Sequence, residues 1–314
     1  MKEIKNVLIL GLGAIGSIYA TTLYDFDSDC VKILIDEPRY KKYKKNGIIF
    51  NQHRYDFDYI LDTDTNFKAD LILIATKSTD FDKASDMIRN FVADDTIILS
   101  LLNGISCEEI LFQKYGREKV LYSYFLGHSS MKSDVNIDFD GVGTVFFGEE
   151  CNKEYSQNVL TVKEFFDKVG IDYKIPEDML SALWQKFIIN IGANQTLAIL
   201  KMSYGAFNNR YAKTIANDLM CEALEIAKFL GINNYENFIE NAFKILTTIP
   251  PELKPSMLQD VENGKPTEVD IFAGEVCRLG KKYNIPTPKN ELVLNILKTI
   301  DEKTLRSNRQ EISV

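Results

Sequence analysis

The sequence predicts an α/β doubly wound, parallel sheet followed by a mainly α-helical C-terminal half. Three observations carry this reading. Apolar, strand-like runs alternate with helical patterns through the first half. The first run ends in a glycine-rich turn that opens a helix, Gly11-Leu12-Gly13-Ala14-Ile15-Gly16. Beyond Pro176 the strand pattern gives way to long helical periodicity.

The strand candidates are Val7–Leu10, Val31–Ile35, Leu71–Ala75, Thr96–Leu99 and Val120–Tyr124. Each is a short, almost wholly apolar run, as expected for strands covered on both faces. Between them, Ile15–Leu23, Ala84–Phe91 and Cys107–Lys114 show helical spacing. Short β pieces are expected over Asp138–Phe147, around Gly141 and Gly143, and over Asp172–Ile175. One long helix is expected over Asp178–Lys201, and another from Arg210 or Tyr211 to Leu230, stopped by Gly231 as a C-terminal cap. Tyr235–Thr248 and Glu268–Tyr283 follow as helices. Pro286 and Pro288 then precede a last helix over Lys289–Lys303. The boundary near Ile175–Glu177 divides the chain into residues 1–176 and 177–314, with no repeat and no low-complexity linker. Two such domains are expected to lie against each other and leave a cleft, where ligands commonly bind.

The glycine turn carries a specific chemistry. A strand ending in G-x-G-x-x-G can hold a dinucleotide pyrophosphate: Gly11 permits the tight turn, Gly13 lets the backbone approach the phosphates, and Gly16 lets the helix pack on the strand. The helix start at Ala14 and Ile15 offers unpaired N–H groups and partial positive charge to the anion. The second strand ends in Asp36, about 20 residues after Gly16, where an acid in this fold binds ribose hydroxyls. The plain alternative is a strand–turn–helix with no ligand. Lys77 follows the third strand and Asn103-Gly104 the fourth, both at strand C-termini where open α/β sheets bind ligands.

Composition narrows the function classes. A net charge of −8 argues against nucleic acid or an anionic membrane as the main partner. The lysines at 41, 42, 44 and 45 read as a solvated helix face. Five scattered cysteines without a C-x-x-C motif suit reduced thiols in the cytoplasm. With only two histidines, His53 and His128, no His-rich metal site is expected. The start of the chain lacks a signal-peptide pattern, and no apolar stretch reaches the roughly 18 residues of a membrane span.

The long helix of the second half carries Lys186, Asn190 and Asn194 at i, i+4 and i+8, hence on one face of an otherwise apolar segment. Such a stripe is either a solvent face or the wall of a cleft. A second polar cluster runs from Ser256 to Glu268, turning at Gly264 and Pro266. Glu268 at a helix start has a plain explanation in the helix dipole and a functional one in binding a substrate hydroxyl.

In this order the residues resemble the ketopantoate reductase (2-dehydropantoate 2-reductase) family. The resemblance rests on the glycine turn, Lys77, Asn103-Gly104, Trp184-x-Lys186-Phe187-x-x-Asn190-x-x-x-Asn194, Ser256-Met257-Leu258-Gln259-Asp260 and Pro266-Thr267-Glu268, and covers nearly the whole chain. It implies a Rossmann domain followed by a helical domain. It implies Lys186 as the general acid that protonates a ketone oxygen while a nicotinamide delivers hydride. It implies Glu268 on a substrate hydroxyl and orienting Lys186, and Ser256 on the carboxylate. Asn190 and Asn194 would hydrogen-bond substrate, with Asn103 and Lys77 at the cofactor–substrate junction. The implied cofactor is NADP(H).

Three positions depart from the family pattern. Asp36 stands where a basic residue often binds the NADP phosphate; it suits NAD(H), with Arg39 three residues on still able to reach a phosphate. Leu253 and Ala273-Gly274 stand where the pattern has Asn and Asn-Gly, which makes the pocket less polar. The expected function is therefore reduction of a 2-keto acid, ketopantoate by default. The alternatives are an NAD-linked D-2-hydroxyacid dehydrogenase with a less polar substrate and a nucleotide-binding sensor without turnover. The expected partner is the small-molecule keto acid, with neither nucleic acid nor membrane; a homodimer is the assembly considered.

Overall fold

The computed structural model describes residues 3–78, 81–127, 130–133, 135–139 and 143–312. The chain divides into two compact units, Met1–Met179 and Leu180–Val314.

The first unit contains, in order, β1 (Val7–Leu10), α1 (Ala14–Phe26), β2 (Val31–Leu34), α2 (Glu37–Asn46), β3 (Ile48–Phe50), β4 (His53–Tyr55), β5 (Asp58–Ile60), β6 (Leu71–Ile74), α3 (Phe81–Met87), β7 (Ile97–Ser100), α4 (Cys107–Tyr115), β8 (Val120–Leu126), β9 (Ser130–Ser133), β10 (Asn136–Phe139), β11 (Thr144–Gly148), α5 (Gln157–Val169) and β12 (Tyr173–Lys174). The main sheet has the order β12-β11-β8-β7-β6-β1-β2-β5. From β8 to β5 every pairing is parallel, and β11 joins β8 antiparallel. The chain leaves β1 toward β2 on one side and returns to β6 on the other. That reversal is the topological switch point of a doubly wound, Rossmann-type sheet.

Alternation along the strands sorts the core. Val7, Ile9, Val31, Ile33, Leu71 and Leu73 share a cluster with Tyr19, Ala20 and Leu23 of α1 and Val162 and Phe166 of α5. Leu8, Leu10, Leu34, Ile72 and Ile74 share another with Phe81 and Ala84 of α3 and Leu111 of α4. Both faces of the sheet are covered, and that is why its strands read as unbroken apolar runs.

A second sheet, ordered β4-β3-β10-β9, departs from the expectations. The β segment expected over Asp138–Phe147 splits between the two sheets, with β10 in the small one and β11 in the main one. Gly141 lies outside the described residues. The helix expected over Ala84–Phe91 starts earlier, at Phe81, and tightens to a 3-10 turn over Ile88–Phe91.

The second unit is helical: α6 (Met179–Leu200, beginning at the unit boundary), α7 (Arg210–Phe229), α8 (Phe238–Thr248), α9 (Ser256–Glu262), α10 (Ala273–Tyr283) and α11 (Pro288–Ile312). Gly231 follows α7 with φ +72°. A Cβ at Gly192 would come within 2.7 Å of the Met220 side chain and 3.1 Å of the Ala216 carbonyl oxygen. Glycine thus lets α6 press closely on α7. Glu222 of α7 accepts from the backbone N–H groups of Lys289 and Asn290, each at 2.9 Å, and from Asn290 Nδ2 at 2.8 Å. This caps the otherwise unpaired start of α11. Among the described residues no helix is long and apolar enough to cross a membrane.

Candidate active site

The glycine turn of the first unit is built by steric necessity. Gly11 has φ +99°, and a Cβ there would meet the Ala75 carbonyl oxygen at 2.8 Å. A Cβ on Gly16 would sit 1.8 Å from the Gly11 carbonyl oxygen. Gly13 is under no such pressure, its nearest neighbour being the Ala75 carbonyl oxygen at 3.7 Å. The small residue there leaves room beside the helix end for something else. Gly13 is the N-terminal cap residue of α1, and no side chain caps the helix. The first-turn N–H groups over Ala14, Ile15 and Gly16 are therefore not spent on a side-chain cap. Thr76 Oγ1 is buried without a hydrogen-bond partner, and its Cγ2 borders the turn, 3.0 Å from where a Gly11 Cβ would be. An uncapped helix N-terminus, a glycine cradle and an orphaned hydroxyl fit a dinucleotide phosphate.

Asp36 follows β2, as expected, and caps α2. Its carboxylate accepts the Arg39 backbone N–H at 2.9 Å and the Arg39 guanidinium at 2.8 Å. The sequence set these two residues against each other as rival determinants of cofactor choice; the structure joins them in one ion pair. The lysines at 41, 42, 44 and 45 are exposed around the buried Tyr43, a solvated helix face as expected. Lys77 and Asn103 lie just beyond β6 and β7, Lys77 exposed and Asn103 half-buried. Because β1, β6 and β7 are adjacent and parallel, both loops leave the sheet at the edge that carries the glycine turn.

In the second unit, Lys186 and Asn190 are half-buried on α6 and Asn194 is buried. Gly192, which meets α7, lies about 200° around the helix from Asn190 at 100° per residue. The polar stripe therefore faces away from α7. Ser256 is exposed at the first position of α9, following Pro255. Glu268 is half-buried, but it does not open an α-helix. The helix expected over Glu268–Tyr283 is interrupted: a 3-10 turn covers Val269–Ile271, Phe272 takes φ −108° and ψ −97°, and α10 begins only at Ala273.

Two residues that sequence reading missed hold this segment. Asp301 of α11 accepts from the Thr267 backbone N–H and from Thr267 Oγ1, both at 2.9 Å. Gln195 of α6 accepts from the Ala273 N–H at 2.9 Å and donates to the Ile191 carbonyl at 3.0 Å. A glutamine within the apolar run of α6 was the one available signal, since a buried amide must find partners.

A doubly wound sheet with a glycine cradle at its switch point, followed by a helical unit with a lysine–asparagine stripe, has the architecture of a dinucleotide-binding enzyme. Comparison with known proteins gives the family. Residues 7–151 match ketopantoate reductase PanE/ApbA, and residues 178–301 match its C-terminal domain. The chain belongs to this family of NAD(P)-dependent oxidoreductases. It is 29% identical over 304 residues to 2-dehydropantoate 2-reductase of Pyrococcus horikoshii, covering 93% of this chain and 96% of that one. The Aquifex aeolicus 2-dehydropantoate 2-reductase is 27% identical over 306 residues, covering 94% and 96%. Among solved structures, D-mandelate dehydrogenase with NADH and anilino(oxo)acetate superposes with TM-score 0.84 at 20% identity, covering 95% of this chain and 99% of that one.

Proposed function

We propose that the protein reduces a 2-keto acid to the 2-hydroxy acid, with 2-dehydropantoate to pantoate, a step of pantothenate synthesis, as the first substrate pair. The observation that carries this reading is the Lys186–Asn190–Asn194 stripe on the α6 face turned away from α7, in a chain whose relatives are 2-dehydropantoate 2-reductases over nearly their whole length.

Gly11, Gly13, Ala14, Ile15 and Gly16 hold the cofactor pyrophosphate on the start of α1. A bound nicotinamide supplies the hydride for the carbonyl carbon. Lys186 gives a proton to the ketone oxygen, which leaves the hydroxy acid and a neutral amine that solvent reprotonates. Its ammonium charge also stabilises the negative charge growing on that oxygen. Glu268 accepts the substrate hydroxyl and orients Lys186. Ser256 donates to the substrate carboxylate, Asn190 and Asn194 hydrogen-bond the substrate, and Lys77 and Asn103 serve the junction between cofactor and substrate.

The cofactor is NADP(H) by family, with NAD(H) used unusually well because Asp36 stands at the end of β2, where this fold would receive the adenosine ribose. An Arg39 already paired to Asp36 supports this dual reading. A second reading, an NAD-linked D-2-hydroxyacid dehydrogenase with a less polar substrate, is favoured by Ala273. That residue is wholly buried and its N–H is taken by Gln195, so it presents no polar side chain where the family pattern has Asn.

Oxidation of NADPH and NADH over a panel of 2-keto acids tests the proposal. Highest kcat/KM with 2-dehydropantoate supports the first reading, and highest kcat/KM with an aromatic or branched acid lacking the hydroxyl supports the second. Cofactor binding without turnover on any acid contradicts both and leaves a nucleotide-binding sensor.

A further inference from the structure

The segment that carries Glu268 has little structure of its own. Between Thr267 and Ala273 its internal backbone bonds include two 3-10 contacts, Ile271 N–H to the Glu268 carbonyl and Phe272 N–H to the Val269 carbonyl, each 3.2 Å long. Short 3-10 stretches have poor hydrogen-bond geometry. Val269 and Phe272 bury the middle of the segment, and each of its two ends is held by a hydrogen bond to a buried side chain from a different helix.

At the front, Asp301 grips both donors of Thr267, the residue immediately before Glu268. Asp301 is 7% exposed and Thr267 2%. A carboxylate taken this far from water is costly unless hydrogen-bonded, so the pairing strongly favours one geometry. Fixing the N–H and the side chain of Thr267 leaves only a few torsions between this anchor and the Glu268 carboxylate. At the back, Gln195 takes the first N–H of α10, a group the helix cannot satisfy internally. Gln195 is fully buried and stands on α6, nine positions after Lys186. The helix of the front anchor, α11, is itself held at its start by Glu222, and its Lys298 pairs with Asp270 inside the same segment.

We propose that Asp301 and Gln195 are positioning residues that fix where Glu268 is presented to substrate, suspending residues 267–273 between α11 and the helix that bears Lys186. The proposal rests on the role given to Glu268 above. Neither residue touches the reacting atoms; each acts through the backbone on either side of Glu268.

The test is a cycle on substrate preference, the ratio of kcat/KM for 2-dehydropantoate to that for its analogue lacking the hydroxymethyl group. Thr267→Val keeps the shape and removes the hydroxyl that Asp301 holds, and Gln195→Met likewise removes the bond to Ala273. Each is expected to lower the ratio by roughly tenfold, within the range a small misplacement of a binding group produces. Thr267→Ser restores the hydroxyl and is expected to restore the ratio. In a Glu268→Ala background neither change is expected to move the ratio further. The same loss in that background, or no loss in the native one, overturns the proposal and leaves Asp301 and Gln195 as fold-stabilising only. If Glu268→Ala itself leaves the ratio unchanged, the substrate role of Glu268 falls and this proposal with it. If only the Thr267 and Gln195 variants leave it unchanged, Glu268 keeps its role and this proposal alone fails.

Discussion

The carboxylate of Asp36 receives both the backbone N–H and the guanidinium of Arg39, at 2.9 and 2.8 Å. The pair stands at the end of β2, where the adenosine ribose of a dinucleotide is read. A ribose phosphate bound there would be repelled by Asp36, which also occupies the nearby Arg39 cation. Both side chains are well exposed, so the pair adds little to stability and is readily opened. Asp36→Asn keeps a good cap for α2 and releases Arg39. The ratio of kcat/KM for NADPH over NADH should rise on the order of tenfold, equivalent to about 1.4 kcal/mol. An unchanged ratio would assign cofactor choice to other residues.

The second and third glycines of the turn, Gly13 and Gly16, should fail differently. Gly16→Ala drives a methyl group to within 1.8 Å of the Gly11 carbonyl oxygen, so turn and helix must part. Overpacking of this kind costs roughly 1–3 kcal/mol, and urea denaturation should show it. Gly13→Ala meets nothing closer than 3.7 Å and should change stability much less. Its new methyl group stands at the uncapped start of α1, so cofactor affinity should fall while the fold persists. Equal cofactor binding by Gly13→Ala and the native protein would argue against a phosphate at this turn.

How much of this was legible follows from how local the causes are. The parallel strands, α1, α6 and α7 were readable because apolar runs and glycines mark them within a few residues. The strands β3, β4 and β9 were not: they are short and in part polar, and the two local hairpins β3–β4 and β9–β10 become one sheet only through the β3–β10 pairing between segments far apart in the chain. Glu268–Tyr283 read as one helix because no Gly or Pro interrupts it before Gly274. The break at Phe272 comes with two bonds from residues distant in sequence, Asp301 and Gln195, and no local pattern encodes those. Asp36 and Arg39 were each visible, and their spacing of three even suits a helix cap. Only the folded chain shows that one side chain spends itself on the other.

Glu222 gives a stability prediction in the helical unit. It is a nearly buried carboxylate that satisfies two backbone donors and one side-chain donor at the start of α11. Glu222→Ala leaves these donors without their acceptor and should cost about 2–3 kcal/mol, the range for losing hydrogen bonds to a charged group. Loss of less than half a kcal/mol in urea unfolding would mean that water replaces it freely.

The cysteines should differ sharply in reactivity. Burial pushes the Cys30 thiol up to about 11, with Asp27 and Asp29 adding to the shift. Burial also raises Cys221 and Cys277 above the usual thiol range. Since the thiolate is the nucleophile, raised values leave less of the reactive form at pH 8. Cys151 is exposed and unbridged. Iodoacetamide at pH 8 should therefore label Cys151 first, with Cys30 protected until the chain unfolds. Mass spectrometry of the native protein reads this directly, and early labelling of Cys30 would contradict the burial.

The central claim is that Lys186 carries the proton in the reduction of a keto acid. Steady-state turnover of Lys186→Ala, beside direct titration of cofactor binding, tests it most directly. The account predicts turnover lower by roughly 10²–10⁴, the range for a lost general acid, with cofactor affinity little changed. Turnover near that of the native enzyme would contradict it.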